Sequence, residues 1–180
     1  METEERLLTR IHQGDRKAQQ ELYRRFAGTA MAVAMRYVAD TEVARDVLQE
    51  SFVKVFSHVK DFEHRGEGTL KAWVMRVVSN EAINVMRQRR RHIFTKLPEE
   101  EDTSDEEPDV GGISLEVLQR MIEQLPEGYR IVFNLYVFEQ KSHKEIAALL
   151  GIKENSSASQ FLRAKRMLAR QIQQYQQQQL

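Results

Sequence analysis

The chain has no cysteine, which excludes disulfides, thiolate metal sites and thiol redox sensing. Three prolines and eight glycines among 180 residues leave few helix breakers. With abundant Ala, Leu, Arg, Gln and Glu, that scarcity favours helix almost throughout. No run approaches the roughly 18 to 20 apolar residues that a membrane span needs. The opening residues 1 to 5 (METEE) carry neither the basic start nor the apolar centre of a signal peptide. A cytoplasmic protein with no membrane insertion is therefore expected. Its histidines (His12, His58, His64, His92 and His143) are scattered without ligand spacing, and no Gly-rich phosphate loop follows a strand. No catalytic constellation, metal site or cofactor is expected.

Net charge is also missing, since 27 basic residues offset 27 acidic ones. The balance is segregated rather than mixed. Eight acids and no base lie between Glu99 and Asp109, while residues 1–97 hold 18 bases against 13 acids and residues 113–180 hold 9 against 6. A solvated tether between two polyanion-binding modules has this pattern, and so does an ordinary acidic loop. A hydrophobic content of 41% is enough for packed cores. The expected organisation is all-α, with two small helical domains at 1–97 and 113–180 joined by a flexible acidic linker at 98–112.

Apolar spacing places the helices. Residues 3–27 read as an amphipathic pair broken at Gly14 and Asp15, the latter a suitable N-cap. A separate small-residue helix is expected from Gly28 to Val38. Residues 42–59 put Val43, Ala44, Val47, Leu48, Phe52, Val55, Phe56 and Val59 on one face, leaving Arg45, Asp46, Gln49, Glu50 and Lys54 on the other. Asp61 to Thr69 lacks periodicity and reads as a loop. Leu70 to Arg91 reads as a long helix with an apolar stripe from Trp73 to Met86 and with Arg76, Asn80, Asn84 and Arg87 along a different face. Leu115, Leu118, Met121, Ile122 and Leu125 open the second domain, residues 126–128 turn the chain, and Tyr129 to Phe138 add another helix. The glutamine-rich tail from Gln171 is expected to fray.

Local chemistry is clearest in the second half. Ser142 with Glu145 fits a capping box, Ala147 is small where two helices cross, and Gly151 suits a sharp turn before a basic helix. This is the pattern of a helix-turn-helix, with Asn155 or Ser156 capping the second helix. With Phe161, Ala164, Leu168 and Ile172 packed inward, Ser156, Ser159, Gln160, Arg163 and Arg166 are left for phosphates and major-groove base edges. An ordinary helical hairpin with solvated bases is the alternative. The Arg87 to Arg91 cluster fits either the negative end of a helix dipole or nucleic-acid contact. Trp73 fits core or a base-stacking platform. Asn80 and Asn84 are poor helix formers whose amides could pair with base edges.

Taken in order, residues 46–52 (DVLQESF), the series Trp73, Arg76, Asn80, Asn84 and Arg87, the Leu125-Pro126 step and the helix-turn-helix resemble an extracytoplasmic-function sigma factor of the sigma-70 family. The resemblance covers nearly the whole chain, as regions 2 and 4 with region 3 absent. It implies that Asp46, Gln49 and Glu50 dock on the clamp coiled coil of the RNA polymerase β′ subunit. Phe62 and Arg65 in the loop, with Arg76, Asn80, Asn84 and Arg87, would bind the −10 element as it opens. The helix-turn-helix would bind the −35 duplex through Ser156, Ser159, Gln160, Arg163 and Arg166, while another surface of that domain meets the β flap. The linker would run toward the RNA exit path, and an anti-sigma protein is an implied partner. Ser157, Ala158 and Gln160 stand where members often have Val, Lys and Arg, so base preferences do not transfer. Asn84 replaces a frequent Asp, and Leu70 a frequent Phe. Two rival readings are a stand-alone helix-turn-helix regulator and a helical scaffold for protein contacts. The first needs a dimerisation surface to match half-sites, and the second leaves both basic faces unexplained.

Overall fold

A computed structural model describes residues 2–89 and 111–178. Residues 98–110 of the expected linker, together with Arg90 and Arg91 of the basic cluster, lie outside the described residues. Among the described residues all regular structure is helical. Contacts divide the chain into two compact units, Met1–Met86 and Arg87–Leu180.

The first unit begins with α1 (Glu4–His12), α2 (Arg16–Val38) and α3 (Thr41–His58). A 3-10 turn, Val59–Asp61, then leads into the loop before α4 (Thr69–Arg89). Side-chain caps mark the starts: Thr3 accepts from the Arg6 N–H, Asp15 from Lys17 and Asp40 from Val43. Each takes up a donor that the first turn leaves unpaired, and replacing such a cap by Ala costs about 1 kcal/mol. Helix α2 runs through Gly28, so the expected break there does not occur. Phe26 and Ala30, either side of that glycine, are buried, and their packing outweighs the roughly 1 kcal/mol that Gly costs a helix interior. The helix stops at Ala39, which turns left-handed at φ 50°. Leu7, Ile11, Leu22, Tyr37, Val55, Leu70, Val74 and Val78 are fully enclosed in the core.

The second unit holds α5 (Leu115–Glu123), α6 (Glu127–Val137), α7 (His143–Leu150) and α8 (Glu154–Gln178). Met121, Ile122, Leu125, Tyr129, Ala164, Leu168 and Ile172 form its core, and α8 packs on α5, α6 and α7. Leu115, expected with the apolar start of this domain, is 84% exposed at the first position of α5, directly after the Ser114 cap. Helix α8 continues past Gln171, contrary to the expected fraying. Ile172 and Tyr175 extend its apolar stripe onto the core, and Gln171 donates to the Gln124 side chain at 3.4 Å. The buried Arg130 guanidinium donates through Nη1 to the carbonyls of Glu123 and Leu125, at 2.9 and 2.8 Å, tying α6 to the end of α5. Burial lowers its pKa from the ordinary value, while the Glu127 and Glu123 charges oppose that shift.

Candidate nucleic-acid interface

Helix α3 is amphipathic in the sense its sequence predicts. Val47, Leu48, Phe52 and Val55 are buried, whereas Asp46, Gln49 and Glu50 are exposed together on the opposite face. The structure adds Val53, which shares that face at the next helical step and is 61% exposed. The sequence reading assigns it to neither face, because an apolar side chain gives no signal for an exposed polar surface. Beside this face Lys54 pairs with Glu81, linking α3 to α4.

At the start of α4, Phe62, Arg65 and Arg76 gather around one surface pocket of about 520 Å³, with Trp73 in its wall. Trp73 is half-buried and lies against Phe62 with ring centroids 5.0 Å apart. The indole is thus part-packed in the fold and part of the pocket lining. Arg65 pairs with Glu63 at 3.1 Å, but both are exposed, so the pair contributes at most about 1 kcal/mol and leaves Arg65 able to exchange partners. From the pocket, Arg76, Asn80, Asn84 and Arg87 continue along α4, all exposed, in a row about 16 Å long at 1.5 Å per residue. Asn80, Asn84 and Arg87 share the helix face of Arg76 but not the pocket.

The loop itself is held from a distance. Glu4, only 2% exposed, accepts the N–H groups of Gly68 and Leu70 at Oε2 (2.9 and 3.0 Å) and of Lys71 at Oε1 (3.2 Å). In return the Glu4 N–H donates to Glu67 Oε1 at 2.8 Å. Each carboxylate thus caps the other's helix, with negative charge at both positive helix ends. His64 Nε2 lies 3.8 Å from Glu4 Oε2. Nothing local in the sequence separates Glu4 from Glu5, and the partners are more than 60 residues apart.

In the second unit the helix-turn-helix forms as expected. The Ser142 hydroxyl accepts from Glu145 N–H, and the Glu145 carboxylate accepts the Ser142 N–H at 2.8 Å and its hydroxyl at 2.7 Å. The hydroxyl and N–H of Ser142 hold the Glu145 carboxyl below its ordinary value. Gly151 caps α7 in the left-handed conformation at φ 57°, and Ala147 is buried. Helix α8 begins at Glu154, so Asn155 and Ser156 lie within its first turn rather than capping it.

Of the side chains assigned to duplex contact, Ser159 is exposed, while Ser156, Arg163 and Arg166 are half-buried. Arg163 donates through Nη1 to the Tyr129 hydroxyl at 3.5 Å, which aligns it along the surface of α6. Gln160 is different. It is 4% exposed, with its Oε1 enclosed and lacking a hydrogen-bond partner, so its assignment to base contact is corrected. Ser157, also buried, bonds to His143 Nδ1 at 3.0 Å, and the His143 ring stacks on Tyr136 at 4.7 Å. That cluster joins the first turn of α8 to α6 and α7, and the sequence carried no signal for it.

No described helix is long and apolar enough to cross a membrane, and no described group of His, Asp and Glu could hold a metal ion.

The family model for sigma-70 region 2 matches residues 22–92, and that for sigma-70 region 4 matches residues 115–168. The first span contains the α3 face and the pocket, and the second contains the helix-turn-helix. Similar proteins include the ECF RNA polymerase sigma-E factor of Haemophilus influenzae, 28% identical over 95% of this chain and 96% of that protein. The ECF RNA polymerase sigma-E factor of Escherichia coli K12 is 29% identical over 95% of each. The RNA polymerase sigma-H factor of Pseudomonas aeruginosa is 25% identical over 96% of this chain and 95% of that protein.

Proposed function

The chain belongs to the sigma-70 family as an extracytoplasmic-function factor, which directs RNA polymerase to promoters, and from that premise we propose how its surfaces divide the work. Unit 1 binds core polymerase through Asp46, Gln49, Glu50 and Val53 on α3. An acidic face with an apolar centre suits a basic helical partner such as the clamp coiled coil of β′. The same unit opens the −10 element. Extruding a base costs a few kcal/mol, and stacking on an aromatic returns about 1 to 3 kcal/mol per base. A pocket walled by Phe62 and Trp73 is of the right scale to offset one extruded base, with Arg65 and Arg76 meeting the strand's phosphates. Asn80, Asn84 and Arg87 then track the strand along α4.

Unit 2 reads the −35 duplex through Ser156, Ser159, Arg163 and Arg166. Its exposed Tyr136, Val137 and Phe138, at the end of α6, offer an apolar surface to the β flap. The linker follows the RNA exit path as a nucleic-acid mimic. An anti-sigma protein that covers the α3 face is the regulator the family resemblance implies. Acting on polymerase and promoter DNA, the chain works in the cytoplasm and catalyses no reaction itself.

The observation that carries this reading is the pocket that brings Phe62, Trp73, Arg65 and Arg76 together at the head of an exposed polar row. Run-off transcription with core polymerase on genomic DNA tests it. Discrete start sites are expected that are lost in Phe62→Ala and Arg76→Ala, and start sites indifferent to both variants would refute the assignment.

A further inference from the structure

We propose that Glu4 is a positioning residue for promoter opening, acting through the loop and helix start that it caps. This rests on the reading of the pocket just given. Helix α1 lies outside the span matched by the region 2 model, and nothing in its sequence resembles a DNA-binding element. Yet its first residue inserts a carboxylate among three N–H groups of Gly68, Leu70 and Lys71. Those residues join the Phe62 and Arg65 side of the pocket to the Trp73 and Arg76 side.

The carboxylate is anchored from behind. Leu7, Leu8 and Ile11 of α1 are buried, Arg25 donates to the Glu2 carbonyl at 2.9 Å, and Arg10 bonds to both Glu2 and Asp15. Gly66 and Gly68 have φ of 124° and 87°, so the loop beside the cap is built at positions that other residues adopt only with strain. An internal turn shapes the segment, with the Thr69 N–H and hydroxyl donating to the Gly66 carbonyl at 3.2 and 2.6 Å and the Arg65 N–H donating to Thr69 Oγ1 at 3.4 Å. Glu4 is the side chain that fastens this turn to α1. With the carboxylate in place, Phe62 is held against Trp73; without it, three donors at the head of α4 lose their acceptor and the loop can leave the indole.

The test uses the full chain, in which Trp73 is the only tryptophan and reports on the pocket directly. Glu4→Gln keeps the shape but turns one oxygen into an NH₂ group facing N–H donors. In the folded protein, its Trp73 emission should shift to the red and become more accessible to acrylamide. Core affinity should be unchanged, while opening of a linear promoter, followed by a fluorescent base in the −10 element, should slow by about 10- to 100-fold, the scale of an ångström misplacement. If Glu4→Gln does not fold, Glu67→Ala removes only the reciprocal bond at an exposed residue and should move both readouts in the same direction by less.

Unaltered Trp73 emission in the folded variant overturns the proposal. So does altered emission with normal opening when Phe62→Ala is defective. If Phe62→Ala and Arg76→Ala also open the promoter normally, the pocket assignment has failed first, and the role of Glu4 in opening falls with it.

Discussion

Replacing Gln160 with Met should stabilise the second unit and leave −35 recognition intact. The side chain lies on the inner stripe of α8, in series with Ser157, Ala164, Leu168 and Ile172, and its amide oxygen is enclosed without a partner. An unsatisfied buried acceptor costs about 1 to 3 kcal/mol. Methionine has similar length and volume and no polar atom to desolvate, so repacking should take back only part of that gain. A net stabilisation of about 1 to 2 kcal/mol corresponds to roughly a 5- to 30-fold change in the folded-to-unfolded ratio. Hydrogen exchange of the slowest core amides in α6 and α8 reads this directly, as a matching rise in protection. Affinity for the −35 duplex should not change in parallel titrations. A glutamine paired bidentately with a base would behave in the opposite way, with a loss of about 1 to 3 kcal/mol confined to one base pair. Reduced protection together with weakened, less specific binding would refute the inward placement of Gln160.

Other surfaces give equally direct outcomes. Charge reversal of Asp46 and Glu50 to Lys in one folded variant should weaken core binding by about 1 to 3 kcal/mol, measured by competition for core polymerase. Val53→Asp should add to that loss, and unchanged affinity would exclude the α3 face. Arg163→Ala should weaken −35 binding and relax preference at one or two base pairs, by roughly 1 to 3 kcal/mol for a bidentate contact, while Asn80→Ala should spare duplex binding and slow −10 opening. For Glu145, whose carboxyl lies below its ordinary value when folded, the capping box is fully stabilising above the unfolded value of about 4.3. That contribution is lost as pH falls through the lower folded value, so Glu145→Gln should flatten the acid limb of a denaturation series read from α7.

What was legible in the sequence followed from local rules. The starts of α2 and α7 are visible because Asp15 and Ser142 are capping residues directly before apolar periodicity, and the α3 faces separate because the spacing is regular. The failures have local causes too. Gly28 looked like a boundary, but a glycine stops a helix only when its neighbours do not pack. Gln160 lies about 60° around the helix from Arg163, on the border between the outward face and the buried stripe. A polar residue at such a border reads as exposed, and only the packing of α6 and α7 on α8 determines on which side it falls.

Glu4 marks a limit of another kind. Pattern reading compares residues three or four apart, and at that range an acidic first turn is fully explained by the dipole of its own helix. The cap Glu4 provides belongs to α4, and the cap on its own N–H comes from Glu67. The residues that would touch the −10 strand therefore lie in one recognisable stretch, Phe62 to Arg87, whereas the geometry that aligns them depends on a side chain from the opposite end of the unit. It follows that pocket residues transplanted onto α4 without α1 would keep the chemistry of strand capture but not its arrangement. A chain lacking α1 should therefore retain the α3 docking face more readily than it retains opening.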